Sequence, residues 1–186
     1  MDVLPIPVLR TDRLTLRQPE LTDAEDVLVF RGDPEVQRFN SEPHTSVAES
    51  VDLIREIRRE HTEGTGMGWV ATLTTSGRAI GLVGFSGWDR FHRRAEVGYD
   101  LARDLWGRGL AREALRSVVE FGFTRMDLHR VEAATIADNH ASVRLLERCG
   151  FVREGTRRAC SWEDDGTFHD SAIYGILDHE WSRQGG

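Results

Sequence analysis

The sequence predicts an α/β (α+β) domain: a mixed, mostly antiparallel sheet of about seven strands with flanking helices. Three observations carry that expectation. Helix-type spacing of apolar residues comes early, a meander of short apolar runs broken by turn residues follows, and two strand–helix units and a final hairpin close the chain. That order favours antiparallel neighbours with one locally parallel pair around the central helix. With 186 residues, 39% hydrophobic and 30% charged, one domain over residues 1–186 is expected, long enough to bury a real core.

Taken in order, Arg13-Leu14-Thr15-Leu16-Arg17 alternates polar and apolar residues as a half-buried strand does. Thr22-x-x-Glu25 reads as a capping box opening a helix through Ala24, Val27, Leu28 and Phe30. Gly32-Asp33-Pro34 ends it, and Pro34 suits the start of a short further turn. Ser46-x-x-Glu49 is a second capping box, ahead of Val51, Ile54 and Ile57 on one helical face. The charges on the other face (Arg55, Glu56, Arg58, Arg59 and Glu60) read as solvated surface. Trp69–Leu73 and Ala79–Phe85 are strands joined by a Thr75-Ser76-Gly77 turn, and Ala95–Leu101 is a third. A helical pattern begins at Leu110. Val131–Ile136 is a buried strand, Asn139 caps a helix ending at Gly150, and residues 151–162 and 167–181 form strands around the Glu163-Asp164-Asp165-Gly166 turn.

The totals exclude several classes. A net charge of −7 argues against a general nucleic-acid binder and mildly favours cationic partners such as amines. No apolar run approaches the roughly 20 residues of a membrane span, and the first residues lack the basic start and apolar core of a signal peptide. Cys149 and Cys160 form no ligand-spaced pair, which fits a reduced, cytoplasmic setting. Seven histidines include no H-E-x-x-H and no close Cys/His set, so no metal is expected.

The chemistry concentrates between Tyr99 and Ala114. A strand ends in a polar turn, two glycines flank one arginine (Gly107-Arg108-Gly109), and a helix starts at once. Glycines allow close backbone approach, and the free N–H groups of a first helical turn attract anions. Arg103, Arg108 and Arg112 add positive charge at that end. The spacing matches neither G-x-G-x-x-G nor the GK[ST] phosphate loop.

The whole stretch resembles the acetyl-CoA pyrophosphate loop of the GNAT N-acetyltransferases, Gln/Arg-x-x-Gly-x-Gly/Ala, with Asp104 standing where Gln or Arg is usual. Trp106 to Ala114 resembles the RimJ/RimL branch in particular. So do Thr11-x-Arg13-Leu14-x-Leu16-Arg17, the Asn139-x-x-Ser142 run closed by Gly150-Phe151, and the closing residues 170–181. The resemblance covers nearly the whole chain and implies a sheet whose fourth and fifth strands splay apart to admit the pantetheine arm.

It also implies site roles. Backbone groups of Tyr99, Asp100 and Leu101 would pair with pantetheine, an N–H at Tyr99 or Asp100 polarising the thioester. Trp106, Gly107, Arg108, Gly109, Leu110, Ala111 and Arg112 would lie against the cofactor, with the glycine turn cradling the pyrophosphate, and Asn139 and Ser142 would reach it from the next helix. Glu96, where many members carry a glutamate, is the first candidate base, its carboxyl raised by apolar Val97 and Tyr99; Asp100 is the second, with a salt link to an arginine as its structural alternative. The acid is often a helix tyrosine in this superfamily, but Leu146 stands near that place, leaving Ser142 or water. Phe39, Trp69 and Trp88 are candidate pocket walls, with core packing the default for Trp69 and Trp88 the better pocket residue. The implied function is acetyl-CoA-dependent N-acetyl transfer by direct attack in a ternary complex, onto a protein N-terminus or a small amine such as a polyamine, amino acid or antibiotic. The alternative is a catalytically silent CoA-binding module. No DNA or membrane partner is expected, and a homodimer is compatible with this reading.

Overall fold

The computed structural model describes residues 5–163 and 166–182. Among the described residues eight strands form one sheet: β1 (Leu9–Arg10), β2 (Leu14–Arg17), β3 (Met67–Leu73), β4 (Ala79–Asp89), β5 (Arg94–Leu101), β6 (Arg130–Ile136), β7 (Val152–Trp162) and β8 (Phe168–Leu177). The expected count of about seven is short by β1, two residues being too few to carry a periodic signal. The α-helices of the described residues are α1 (Ala24–Arg31), α2 (Pro34–Gln37), α3 (Val47–Glu63), α4 (Leu110–Arg125), α5 (His140–Arg148) and α6 (Asp178–Ser182). Asp164 and Asp165, which complete the expected last turn, lie outside the described residues. No described helix is long and apolar enough to cross a membrane.

The strand order is β1-β2-β3-β4-β5-β6-β8-β7, antiparallel throughout except between β5 and β6. That parallel pair runs only from Arg94↔Arg130 to Glu96↔Glu132. Beyond it β5 continues to Leu101 and β6 to Ile136 without pairing to each other, which opens the sheet at its centre. One face carries the larger core, in which α4 presents Leu110, Leu115, Val118 and Val119 to Ala95 and Val97 of β5. The other packs under α1 and α3 through Val27, Phe30, Ile54, Val70 and Leu82.

Three local expectations shift. α1 does not begin on a Thr22–Glu25 box: the buried Asp23 carboxylate accepts the Glu20 N–H (2.8 Å) while Arg17 grips both its oxygens (2.8 and 2.6 Å), so a turn at Leu21–Asp23 precedes the helix. Ser46 is the N-cap of α3, but its side chain makes no cap bond. Glu49 instead accepts from the N–H and hydroxyl of Thr45 (2.7 and 2.8 Å). The final strand stops at Leu177, whose N–H donates to Glu180 Oε2 (2.9 Å) and turns the chain into α6. Trp181 then docks beside Phe123, with the Arg116 guanidinium over its ring.

At Gly81 β4 approaches β5 so closely that a Cβ would lie 2.3 Å from the Asp100 carbonyl oxygen. Backbone cannot swing aside as a side chain can. Gly81→Ala is therefore expected to destabilise by about 1–3 kcal/mol, a fall in Tm of roughly 3–10 °C, read by thermal denaturation.

Candidate active site

The glycine turn is held by geometry that only its glycines tolerate. After a turn at Arg103–Leu105, Gly107 (φ 75°) and Gly109 (φ 77°) both adopt left-handed angles, and Gly109 is the N-cap of α4. The first-turn N–H groups of α4 have no intrahelical acceptors. The turn is clamped from behind. Arg13 Nη1 donates to the Arg108 carbonyl (2.9 Å), its Nε and backbone N–H donate to Glu113 (2.7 and 2.8 Å), and Thr11 Oγ1 joins the same carboxylate (2.5 Å). Burial pushes the Glu113 carboxyl up, but the bonds from Thr11 and Arg13 outweigh it and hold it below its ordinary value. Thus the opening Thr11-x-Arg13 motif braces a turn about a hundred residues away. Arg13→Ala is expected to raise the KM for acetyl-CoA about fivefold, the worth of roughly one hydrogen bond, with kcat within twofold. Steady-state kinetics with varied acetyl-CoA check it.

Where β5 and β6 part, a cavity of about 590 Å³ runs between Val97–Leu101 on one side and Ala133–Thr135 on the other, then on to Gly107, Gly109–Arg112 and the start of α5. Of the residues expected on the cofactor, Tyr99, Asp100, Leu101, Trp106, Gly107, Gly109, Leu110, Ala111, Arg112, Asn139 and Ser142 all line it. The exposed Arg108 side chain does not, and contributes its carbonyl to the clamp instead. The Leu101 carbonyl already accepts from the Trp106 indole (2.8 Å). Arg38, Arg144 and Arg148 also line the cavity and were missed. Arg144 and Arg148 stand one turn apart on α5, an i, i+4 pair legible in the sequence.

Asp104 turns away from the cavity to Arg78 (2.9 and 3.4 Å), whose guanidinium bond holds the carboxyl below its ordinary value. The departure from the usual Gln or Arg thus removes a side chain from the loop without placing a negative charge on it.

Asn139 caps α5 by accepting the Ser142 N–H (3.1 Å). The Ser142 hydroxyl reaches Tyr99 Oη at 2.7 Å across the gap between α5 and β5. Burial pushes the Tyr99 phenol up to about 12, the Ser142 bond opposing it. A tyrosine therefore does line the first cavity, delivered by a strand and paired with a helix serine.

A second cavity of about 380 Å³ lies on the opposite face of the sheet, under α3, lined by Leu53, Ile57 and Glu60 of that helix and by Gly68, Gly84 and Gly98 of β3, β4 and β5. Phe39, Asn40, Gly98, Tyr99 and Asp100 line both cavities. Asp100 takes the structural role weighed for it: its carboxylate accepts from Arg31 Nη1 (2.5 Å) and Asn40 Nδ2 (2.8 Å) and is nearly buried. Glu96 shares that face by strand alternation but is exposed, beside Ser86 and Glu132 in the register, and lines neither cavity. The apolar neighbours expected to raise its carboxyl, Val97 and Tyr99, point to the other side of the sheet.

Trp88 is not a pocket wall. It sits in β4, half-buried against the core, with the Arg90 guanidinium 3.8 Å from its ring centroid. Trp69 is fully buried, donates to the Pro7 carbonyl (2.9 Å) and packs edge-on against Phe121 of α4. Burial pushes the Cys149 thiol up to about 11, so it is inert near neutrality. Among the described residues no cluster of three or more His, Cys, Asp or Glu is placed to hold a metal ion.

The family model described as an acetyltransferase (GNAT) domain matches residues 13–152. The chain belongs to the GNAT acetyltransferase family. It is 35% identical over 175 residues to the N-acetyltransferase p20 of Bacillus licheniformis, covering 94% of this chain and 98% of that one. Its fold superposes on spermidine N-acetyltransferase from Vibrio cholerae, solved with CoA and spermine, with a TM-score of 0.82 and 25% identity over 92% of this chain and 99% of that one. RimL, the ribosomal L7/L12 α-N-protein acetyltransferase solved with CoA, shares the fold at a TM-score of 0.82 and 22% identity, with 92% and 97% covered. GNAT enzymes draw the acetyl group from acetyl-CoA. The left-handed glycines, open helix N-terminus and surrounding arginines of the first cavity suit its phosphates.

Proposed function

We propose that this GNAT acetyltransferase transfers acetyl from acetyl-CoA to a small primary amine by direct attack in a ternary complex. The observation that carries the reading is the meeting of the two cavities at Gly98, Tyr99 and Asp100. A thioester in the first and an amine in the second come into contact there with no covalent enzyme intermediate needed. The glycine turn, the first turn of α4 and Arg112, Arg144 and Arg148 hold the phosphates. A β5 N–H at Tyr99 or Asp100 polarises the thioester carbonyl. Glu96, on the acceptor face two residues from Gly98, takes the amine proton through water. Tyr99, backed by Ser142, donates a hydrogen bond to the departing sulfur.

A protein N-terminus, as in RimL, is the other acceptor class within the family. A cavity of about 380 Å³ falls in the small-ligand range of roughly 300–1,000 Å³, and the Vibrio cholerae relative, a spermidine N-acetyltransferase solved with spermine, acts on an amine of that kind.

The test is thiol release from acetyl-CoA with a panel of primary amines and N-terminal peptides, with products weighed by mass spectrometry. The chain contains no lysine, so self-acetylation of ε-amines adds no background. Turnover with small amines and not with peptides is expected; turnover with peptides alone overturns the small-amine reading. A rise in Tm with acetyl-CoA, corresponding to about 2.7 kcal/mol at a hundredfold excess over Kd, checks the first cavity independently.

A further inference from the structure

The second cavity holds a feature that no step above uses. Glu60, on the last turns of α3, lines it. Its carboxylate makes no hydrogen bond or ion pair with any described residue, and its Oε2 lies over Gly66, just before β3. Burial, then repulsion from Glu56, raises its carboxyl, and Arg59 opposes this. Arg59 is itself engaged by Glu56 and, at 3.8 Å, by Glu63. At the other end of the cavity Arg31 is committed to Asp100 and Ser41. A half-buried carboxylate without a partner is unfavourable unless a cation joins it.

The space between Glu60 and the meeting point is clear. Gly68, Gly84 and Gly98 pair across β3, β4 and β5 and line the cavity. Steric contact accounts for two of them: a Cβ on Gly68 would strike Ile57 at 2.6 Å, and one on Gly84 would strike the Gly68 Cα at 2.6 Å. Gly98 is different, since its φ is not left-handed and a Cβ there meets nothing within 4 Å. Nothing in the packing demands glycine at 98, so its absent side chain leaves open the route from Glu60 to the thioester end. By register that route crosses two strands and about two residues, roughly 12 Å.

We propose that Glu60 is a specificity residue that holds a second positive charge on the acceptor, so that the cavity selects linear diamines and polyamines over monoamines. This rests on the small-amine reading and names the class of amine. One ammonium sits at Glu60 while the other nitrogen, deprotonated, reaches the acetyl group past Gly98.

The test compares α,ω-diaminoalkanes of about three to eight carbons with n-alkylamines of equal length, in thiol-release assays of the wild type, Glu60→Gln and Glu60→Asp. The wild type is expected to favour the best diamine by about tenfold or more in kcat/KM, the effect of one charge-assisted contact. Glu60→Gln should bring that ratio near one through KM, and Glu60→Asp should recover part of it. Equal wild-type rates for diamine and monoamine overturn the proposal, as does an undiminished preference in Glu60→Gln. Calorimetric titration of the CoA-loaded protein with the same diamine decides the matter if turnover is slow: binding that weakens in Glu60→Gln supports the assignment, and no binding by the wild type overturns it. Failure of the small-amine reading looks different, as acetyl-CoA binding without turnover of any small amine.

Discussion

Gly109→Val is expected to raise the KM for acetyl-CoA about 100-fold or more while lowering Tm by only a few degrees. Gly109 sits at φ 77° as the N-cap of α4. Space is not the obstacle, since a Cβ there meets only Arg13 Nη2 at 3.6 Å. Conformation is the obstacle: left-handed angles cost an L-residue roughly 1–2 kcal/mol, and a β-branched one more. The chain can relieve that strain by turning residue 109 to negative φ. Doing so swings the N–H groups of Leu110 and Ala111 off the position proposed for the pyrophosphate and pulls the Arg108 carbonyl from Arg13. Several contacts made to one anion are lost together, and each 1.4 kcal/mol is tenfold in affinity. Gly77 provides the control. It has φ 73° and an open Cβ direction in the β3–β4 turn, outside both cavities. Gly77→Val carries the same strain, so it should cost similar stability and leave the KM for acetyl-CoA unchanged. If both variants lose acetyl-CoA equally, general destabilisation and not the cradle is responsible.

Much of this architecture was legible in the sequence because the relevant signals are local. The glycine pair before a helical pattern, Pro34 opening a short turn, and Asn139 capping α5 each depend on a few neighbouring residues, and each stands where expected. What the sequence hid depends on contacts between distant segments. Arg13 read as the start of a strand and Thr11 only as part of a family resemblance, and only folding shows that they brace the glycine turn through Glu113. Glu60 read as one charge on a solvated helix face, because α3 periodicity does not reveal that its last turns overhang a cavity in the sheet. Trp88 failed for a related reason: a turn-like Gly87-Trp88-Asp89 triplet is a bulged stretch of β4, its register shifted between Ser86 and Asp89. Val97, the apolar residue adjacent to Glu96 in sequence, points in the strand to the opposite face.

Tyr99→Phe is expected to lower kcat about 100-fold with the KM for acetyl-CoA within about threefold, the usual cost of losing one donor to developing negative charge. The phenol's elevation to about 12 decides what kind of donor it is. A free thiol ionises near 8.5, so outright transfer of the Tyr99 proton to a departing thiolate runs uphill. A retained proton shared in a hydrogen bond does not, and the Ser142 hydroxyl at 2.7 Å keeps the phenol aimed. The pH profile of kcat between 6 and 10 should therefore keep its shape in Tyr99→Phe and fall as a whole, since the group does not titrate there. A Tyr99 acting as a titrating acid would instead take a basic limb of the wild-type profile away with it. The same elevation makes a separate demand on stability. Folding raises the phenol above its unfolded value of about 10, so its contribution is fully present below pH 10 and is lost as pH rises through about 12. That loss amounts to about 2–3 kcal/mol. Denaturant titrations at pH 9 and pH 12 should show Tyr99→Phe losing less stability than the wild type over that interval. Tyr174, also raised by burial, contributes to both proteins and cancels in the comparison. An equal loss in both proteins would mean that the Tyr99 phenol is not held up by its surroundings, and the argument for a proton-retaining donor at the sulfur would fall with it.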